Sequence, residues 1–135
     1  MENKTGDYTA QYDLYTTGVG YLRSVKEVNL EQGLPFTTVR ISALRGDITA
    51  LQRTHFNVVA MGLETTNFVR ALEPEVDDGS RVLIKFKLSD IHPHLFYYES
   101  GQREGQPGVS MRGRLIGIDW ARVNGVEFNP LEEAE

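Results

Sequence analysis

Two kinds of residue stand at spacings that allow chemistry. Arg40, the pair His55 and Asn57, the pair Lys85 and Lys87, and the pair Arg112 and Arg114 all sit between apolar neighbours in alternating runs. On an extended chain that alternation sends each of them to the side opposite the apolar residues. Phe96-Tyr97-Tyr98 is the densest aromatic cluster in the chain, and a Gly-rich stretch, Ser100 to Gly108, follows it. Cations of this kind follow phosphates, and rings offer flat faces to bases, each stack being worth about 1–3 kcal/mol. With Arg45 and Arg53 from the same strand region, the candidate nucleic-acid contacts are Arg40, Arg45, Arg53, His55, Asn57, Lys85, Lys87, Phe96, Tyr97, Tyr98, Arg112 and Arg114. A merely solvated strand face would carry cations too, so both readings are open at this point. Alternation also sends Tyr97 to the face opposite Phe96 and Tyr98, so the three rings cannot all meet bases. Tyr12, Tyr15 and Tyr21 read as packing residues of an early strand.

Other chemistries find little support. His92-Pro93-His94 places two imidazoles two residues apart, but no third ligand stands nearby, and no metal site or cofactor is expected. The chain has no cysteine, which removes disulfides, thiolate metal sites and thiol nucleophiles. The carboxylates gather in one central segment and at the C-terminus, where solvation and helix capping account for them, and neither Asp90 nor Asp119 forms a catalytic pair in sequence. There is no phosphate-binding loop of the Walker type and no DNA-cleavage motif. The chain therefore reads as a binding protein and not as an enzyme. Its N-terminus lacks the apolar run of a secretory signal, and no stretch reaches the roughly 18 apolar residues of a membrane span. The expected location is the cytoplasm, with no membrane contact.

The net charge of −5 taken as a sum opposes a polyanion ligand, but its distribution does not. Glu64 to Asp78 carries −4 and Glu127 to Glu135 another −4, whereas Arg81 to Arg122 carries +3 and Phe36 to Ala60 carries +2. A basic strand surface can coexist with an acidic helix and tail.

Positioning these residues requires strands. With 135 residues, 40% hydrophobic and 24% charged, the chain has the size and composition of one globular domain. Residues 1–11 read as a disordered extension, 12–128 as the domain and 129–135 as a short acidic tail. Tyr12 to Val28 suits a long first strand that bends at Gly18 and Gly20. Phe36 to Leu44 and Thr54 to Met61 alternate as a second and a third strand, and Gly62 ends the latter. A short helix over Asn67 to Leu72, capped by Thr65 or Thr66, is expected to close at Pro74. Arg81 to Leu88 reads as the fourth strand, with pairing loosened near Pro93. The aromatic segment His94 to Glu99 then faces Val109 to Trp120, the fifth strand, which bends at Gly113 and Gly117. The last two strands would form a long hairpin.

A mainly β chain of five strands with its one short helix between the third and fourth has the layout of the oligonucleotide-binding (OB) fold, a Greek-key barrel. The run THFNVVAMGLETTNFVRALEPEVDDGSRVLIKFKL resembles bacterial single-stranded DNA-binding proteins. Met61-Gly62, the helix at Phe68 to Leu72, the turn Asp78-Gly79-Ser80 and Val82-Leu83-Ile84 match that family's pattern. The body from about Tyr12 to Trp120, through YDLYTTGVGYLRSVKEV, GLPFTTVRISALRG and VSMRGRLIGID, more closely resembles a largely uncharacterised replication-associated family of integrative conjugative elements. The resemblance implies single-stranded DNA as partner, assembly into dimers or tetramers, and contact with replication or conjugation proteins. The chain also departs from the binding proteins: His55 stands where they present a tryptophan, Trp120 lies at the end of the fifth strand, and the acidic tail lacks their Pro-Phe ending.

The sequence reading is thus a non-enzymatic single-stranded DNA-binding protein supporting replication or transfer of a mobile element. The alternative from another class is a protein-interaction or assembly module, with exposed aromatics, Leu44 and Leu83 at its interface.

Overall fold

Strict alternation of apolar and polar residues gives each extended segment one face that must be buried, and the stable solution is to roll those faces around a common interior. A computed structural model describes residues 14–130. In chain order it contains β1 (Tyr15–Val28), β2 (Phe36–Arg45), β3 (Gln52–Ala60), α1 (Leu63–Asp77), β4 (Val82–Tyr97), β5 (Pro107–Val123) and β6 (Val126–Glu127). Antiparallel pairing runs β3-β2-β1-β4-β5-β6, and a parallel pairing of β3 with β5 closes the five long strands into a ring. Ring closure in this order, with α1 between β3 and β4, is the OB-fold that the element order implied. No helix among the described residues is long and apolar enough to cross a membrane.

The interior is built from Val39 and Ile41 of β2, Val58 of β3, Ile84 and Leu88 of β4 and Leu115 of β5, all fully buried. Helix α1 adds Val69 and Leu72 to the same core. Burial of each such side chain contributes about 1.5–3 kcal/mol.

β1 belongs to two pairings. Tyr15 to Tyr21 face β4 and Gly20 to Val28 face β2, so Gly20 and Tyr21 are shared. A Cβ at Gly20 would lie 2.6 Å from the Ser42 carbonyl oxygen, which is why this position must lack a side chain. The register then shifts between Leu22 and Ser24, leaving Arg23 as the bulged residue.

Several boundaries differ from the sequence reading. The helix runs from Leu63 to Asp77 and not from Asn67 to Leu72. Gly62 is its N-cap, without a side-chain hydrogen bond, and Thr65 is buried inside its first turn. Pro74 lies within the helix because it forfeits only one backbone bond close to the end, and the Asp78 amide still donates to the Pro74 carbonyl at 3.1 Å. β4 continues unbroken through Pro93 to Tyr97. The irregularity falls at Asp90 and Ile91, with Asp90 at φ 56, and pairing resumes at His92 opposite Arg112. Among the described residues no strand pairs with the other side of β4 beyond Ser89, and such an edge tolerates a residue without an N–H. The two-residue β6 was not expected; Asn124 and Gly125, both at positive φ, turn the chain back onto β5. Phe128 then packs its ring 6.2 Å from that of Phe68 on α1. Tyr12, the expected extension 1–11 and the tail from residue 131 onward lie outside the described residues.

Candidate nucleic-acid interface

The pairing registers decide which outward side chains are neighbours. Ser24, Arg40, Asn57 and Arg112 lie side by side across β1, β2, β3 and β5, and His92 continues the row onto β4. The next row holds Lys26, Thr38, Val59 and Arg114. Between these rows lies a cleft of about 350 Å³ whose lining includes Lys26, Arg40, Asn57 and Arg112. Lys26, Arg40 and Arg112 take no part in the ion pairs among the described residues, so their charge faces the cleft uncompensated. Arg114 differs, since its Nε lies 3.8 Å from Asp90 Oδ2.

The hairpin arm of β4 and β5 joins this face at its base, where Asn57 Nδ2 donates to Ser110 Oγ at 2.8 Å. Further out, Phe96 and Tyr98 share the side of His94, Ser110 and Arg112. Their rings meet edge to face at 5.0 Å over Gly108, where an added Cβ would lie 2.6 Å from the Phe96 ring. Arg103 of the loop donates from Nη1 to the Tyr98 hydroxyl at 3.2 Å. Tyr97 points to the opposite side with Leu95 and Val109, and these three are 61%, 58% and 63% exposed. That underside continues the core-facing side of the strands past the end of the barrel.

Of the residues singled out in the sequence, Arg40, His55, Asn57, Arg112, Phe96 and Tyr98 come together on the β2-β3-β5 side and its arm, with Arg114 at the margin. Arg53 lies further along β3, where Nη1 donates to Ser42 Oγ at 3.4 Å and covers that buried hydroxyl. Arg45 lies at the end of β2, its Nε donating to Thr54 Oγ1 at 2.8 Å. Lys85 and Lys87 do not join this group. They belong to rows crossing β1, β4 and β5, opposite Val19 and Trp120 and opposite Thr17 and Gly117. There Lys87 Nζ stands 4.0 Å over the Tyr15 ring, and the Arg122 guanidinium 4.4 Å over Trp120. The outward cations therefore form two groups, because a closed barrel turns its β1-β4-β5 side away from its β2-β3-β5 side.

Sequence reasoning missed Lys26, Arg23 and Arg122. Lys26 carried a signal, since it follows Ser24 by two residues in an alternating run. Arg23 carried none, because its outward position comes from the bulge.

Three solved structures are similar in outline. They are a small single-stranded DNA-binding protein from Streptomyces coelicolor (19% identity, 80% of this chain and 94% of that one, TM-score 0.45), a mitochondrial single-stranded DNA-binding protein from S. cerevisiae (14%, 84% and 96%, 0.45) and a Plasmodium falciparum protein of this kind in complex with single-stranded DNA (13%, 90% and 99%, 0.44). No curated protein matches the sequence. A family model described as "Protein of unknown function (DUF3577)" matches residues 5–135, and the chain belongs to that family.

Proposed function

We propose that this chain is a non-enzymatic single-stranded DNA-binding protein. The observation that carries the reading is the cleft on the β2-β3-β5 side, where Lys26, Arg40 and Arg112 gather without carboxylate partners, with the Phe96–Tyr98 pair further out on the same side of the arm. Phosphates run along the cations and release counterions, and bases stack on the exposed faces of Phe96 and Tyr98. His55 and Asn57 border the same track. Service in replication or transfer of a mobile element, within the cytoplasm and alongside replication or conjugation proteins, is the setting that best fits the sequence resemblance.

The apolar underside of the arm, Leu95, Tyr97 and Val109, favours a second role in assembly. Exposed apolar area of this kind supports pairing of copies into dimers or tetramers. It also supports the competing reading, an assembly module without nucleic-acid contact; Leu44 and Leu83, both half-buried, contribute less to it.

The deciding experiment is a titration of the protein into fluorescein-labelled oligo-dT, followed by anisotropy at low and moderate salt. Tight binding that weakens with salt is the expected result. Absence of binding at low salt, together with a concentration-dependent change of size, would replace the first reading with the second.

A further inference from the structure

One cation cluster lies outside the cleft just described. Arg23 and Arg53 both stand against the ring of Tyr21, their guanidinium carbons 5.6 and 5.5 Å from its centroid, and both line one pocket beside it. Arg81 joins them around this pocket of about 260 Å³ whose floor includes Gly79 and Ser80 of the turn after α1. None of the three takes part in the ion pairs among the described residues. Like charges held together without a counter-charge favour an anion between them, and guanidinium forks match phosphate geometry.

The location of the cluster gives it a role. Tyr21 is one of two residues of β1 that pair with both β2 and β4. An unbroken row therefore runs around the barrel from His55 through Ser42, Tyr21 and Leu83 to Arg122. Its four strand steps of about 4.8 Å span about 19 Å. At one end lies the β2-β3-β5 face, and at the other lie Arg122, Trp120 and Lys85. Without Arg23, Arg53 and Arg81 the middle of the row would offer only a serine, a tyrosine and a leucine.

We propose that the Arg23–Arg53–Arg81 pocket binds internal phosphodiesters of a single strand and carries it from the β2-β3-β5 face across β1 to the Trp120 group. This deepens the function proposed above and rests on it. Tyr21 contributes by holding two guanidiniums in place and not by stacking on a base.

The test compares wild type with Arg23→Ala/Arg81→Ala on oligo-dT of about 4 and about 30 nucleotides, the first too short at about 3.4 Å per nucleotide to span the row and the second longer than the usual site of one such barrel. Neither residue belongs to the β2-β3-β5 cleft, and both are exposed, so equal melting temperatures establish that the variant is folded. With the long strand the variant is expected to lose about tenfold in affinity and about 1.4 in the slope of log K against log salt, two phosphate contacts for a single strand. With the short strand it should match wild type. Arg23→Lys/Arg81→Lys should keep the slope. Equal losses at both lengths, or no loss at either, overturn the bridging role while leaving strand binding intact. A short oligonucleotide that gains affinity through Arg23 and Arg81 only when it carries a 5′-phosphate would overturn it in favour of a terminal-phosphate site. Failure of wild type to bind either strand overturns both proposals.

Discussion

Arg40→Ala combined with Arg112→Ala should flatten the salt dependence of strand binding, whereas Arg114→Ala should do so much less. Arg40 and Arg112 flank Asn57 from β2 and β5, and neither takes part in the ion pairs among the described residues. Arg114, two residues along β5, already stands beside Asp90. Each cation that neutralises a phosphate of a single strand contributes about 0.7 to the slope, so the double variant loses about 1.4. If each exposed contact is worth about 1 kcal/mol, binding at 50 mM salt falls roughly 30-fold. A slope difference of 1.4 then shrinks that gap to about 4-fold at 200 mM, because the wild type loses more of its affinity. Arg114→Ala should change the slope by clearly less than 0.7, since part of its charge is offset by a neighbouring carboxylate. Anisotropy titrations with labelled oligo-dT at four or five salt concentrations measure all three slopes. Parallel lines for wild type and the double variant would refute the reasoning, as would a larger effect from Arg114 than from the pair.

The two sides of the arm should separate by function: Phe96→Ala is expected to weaken oligo-dT binding by about 1–3 kcal/mol, while Tyr97→Ser should leave binding intact and shift sedimentation toward smaller species. Gly20→Val should cost at least about 2 kcal/mol and lower the melting temperature by about 8 °C, because its Cβ would meet the backbone of Ser42 and Ala43 and not a side chain that can swing away; an unchanged melt would show that β1 and β2 can separate there. Leu115→Ala, at the centre of the core, should cost about 2–5 kcal/mol in denaturant unfolding.

Much of this fold was legible because its strands have one buried face each. Phe36 to Leu44 and Arg81 to Leu88 alternate so regularly that their inward and outward sets follow from period-two counting, and Val39, Ile41, Ile84 and Leu88 are indeed buried. The helix was legible as an element but not in extent. Its first turn contains a buried Thr65 and its last a proline, and both break local rules that packing against the barrel overrides. The link from Lys85 to Trp120 was not legible, because two irregularities in β5 pairing lie between Trp120 and Leu115 and shift the count.

Alternation alone determined which side chains leave the barrel wall: Arg40, His55, Asn57, Lys85, Lys87, Arg112 and Arg114 all point outward, since a strand has only two sides. Which of them meet was decided by tertiary structure. Pairing of β3 with β5 sets Arg112 beside Asn57, ring closure separates Lys85 and Lys87 from them, and the bulge at Arg23 brings that residue over Tyr21. Adjacency across strands depends on register and curvature, which arise from contacts distant in the chain and leave no periodic mark within any one strand.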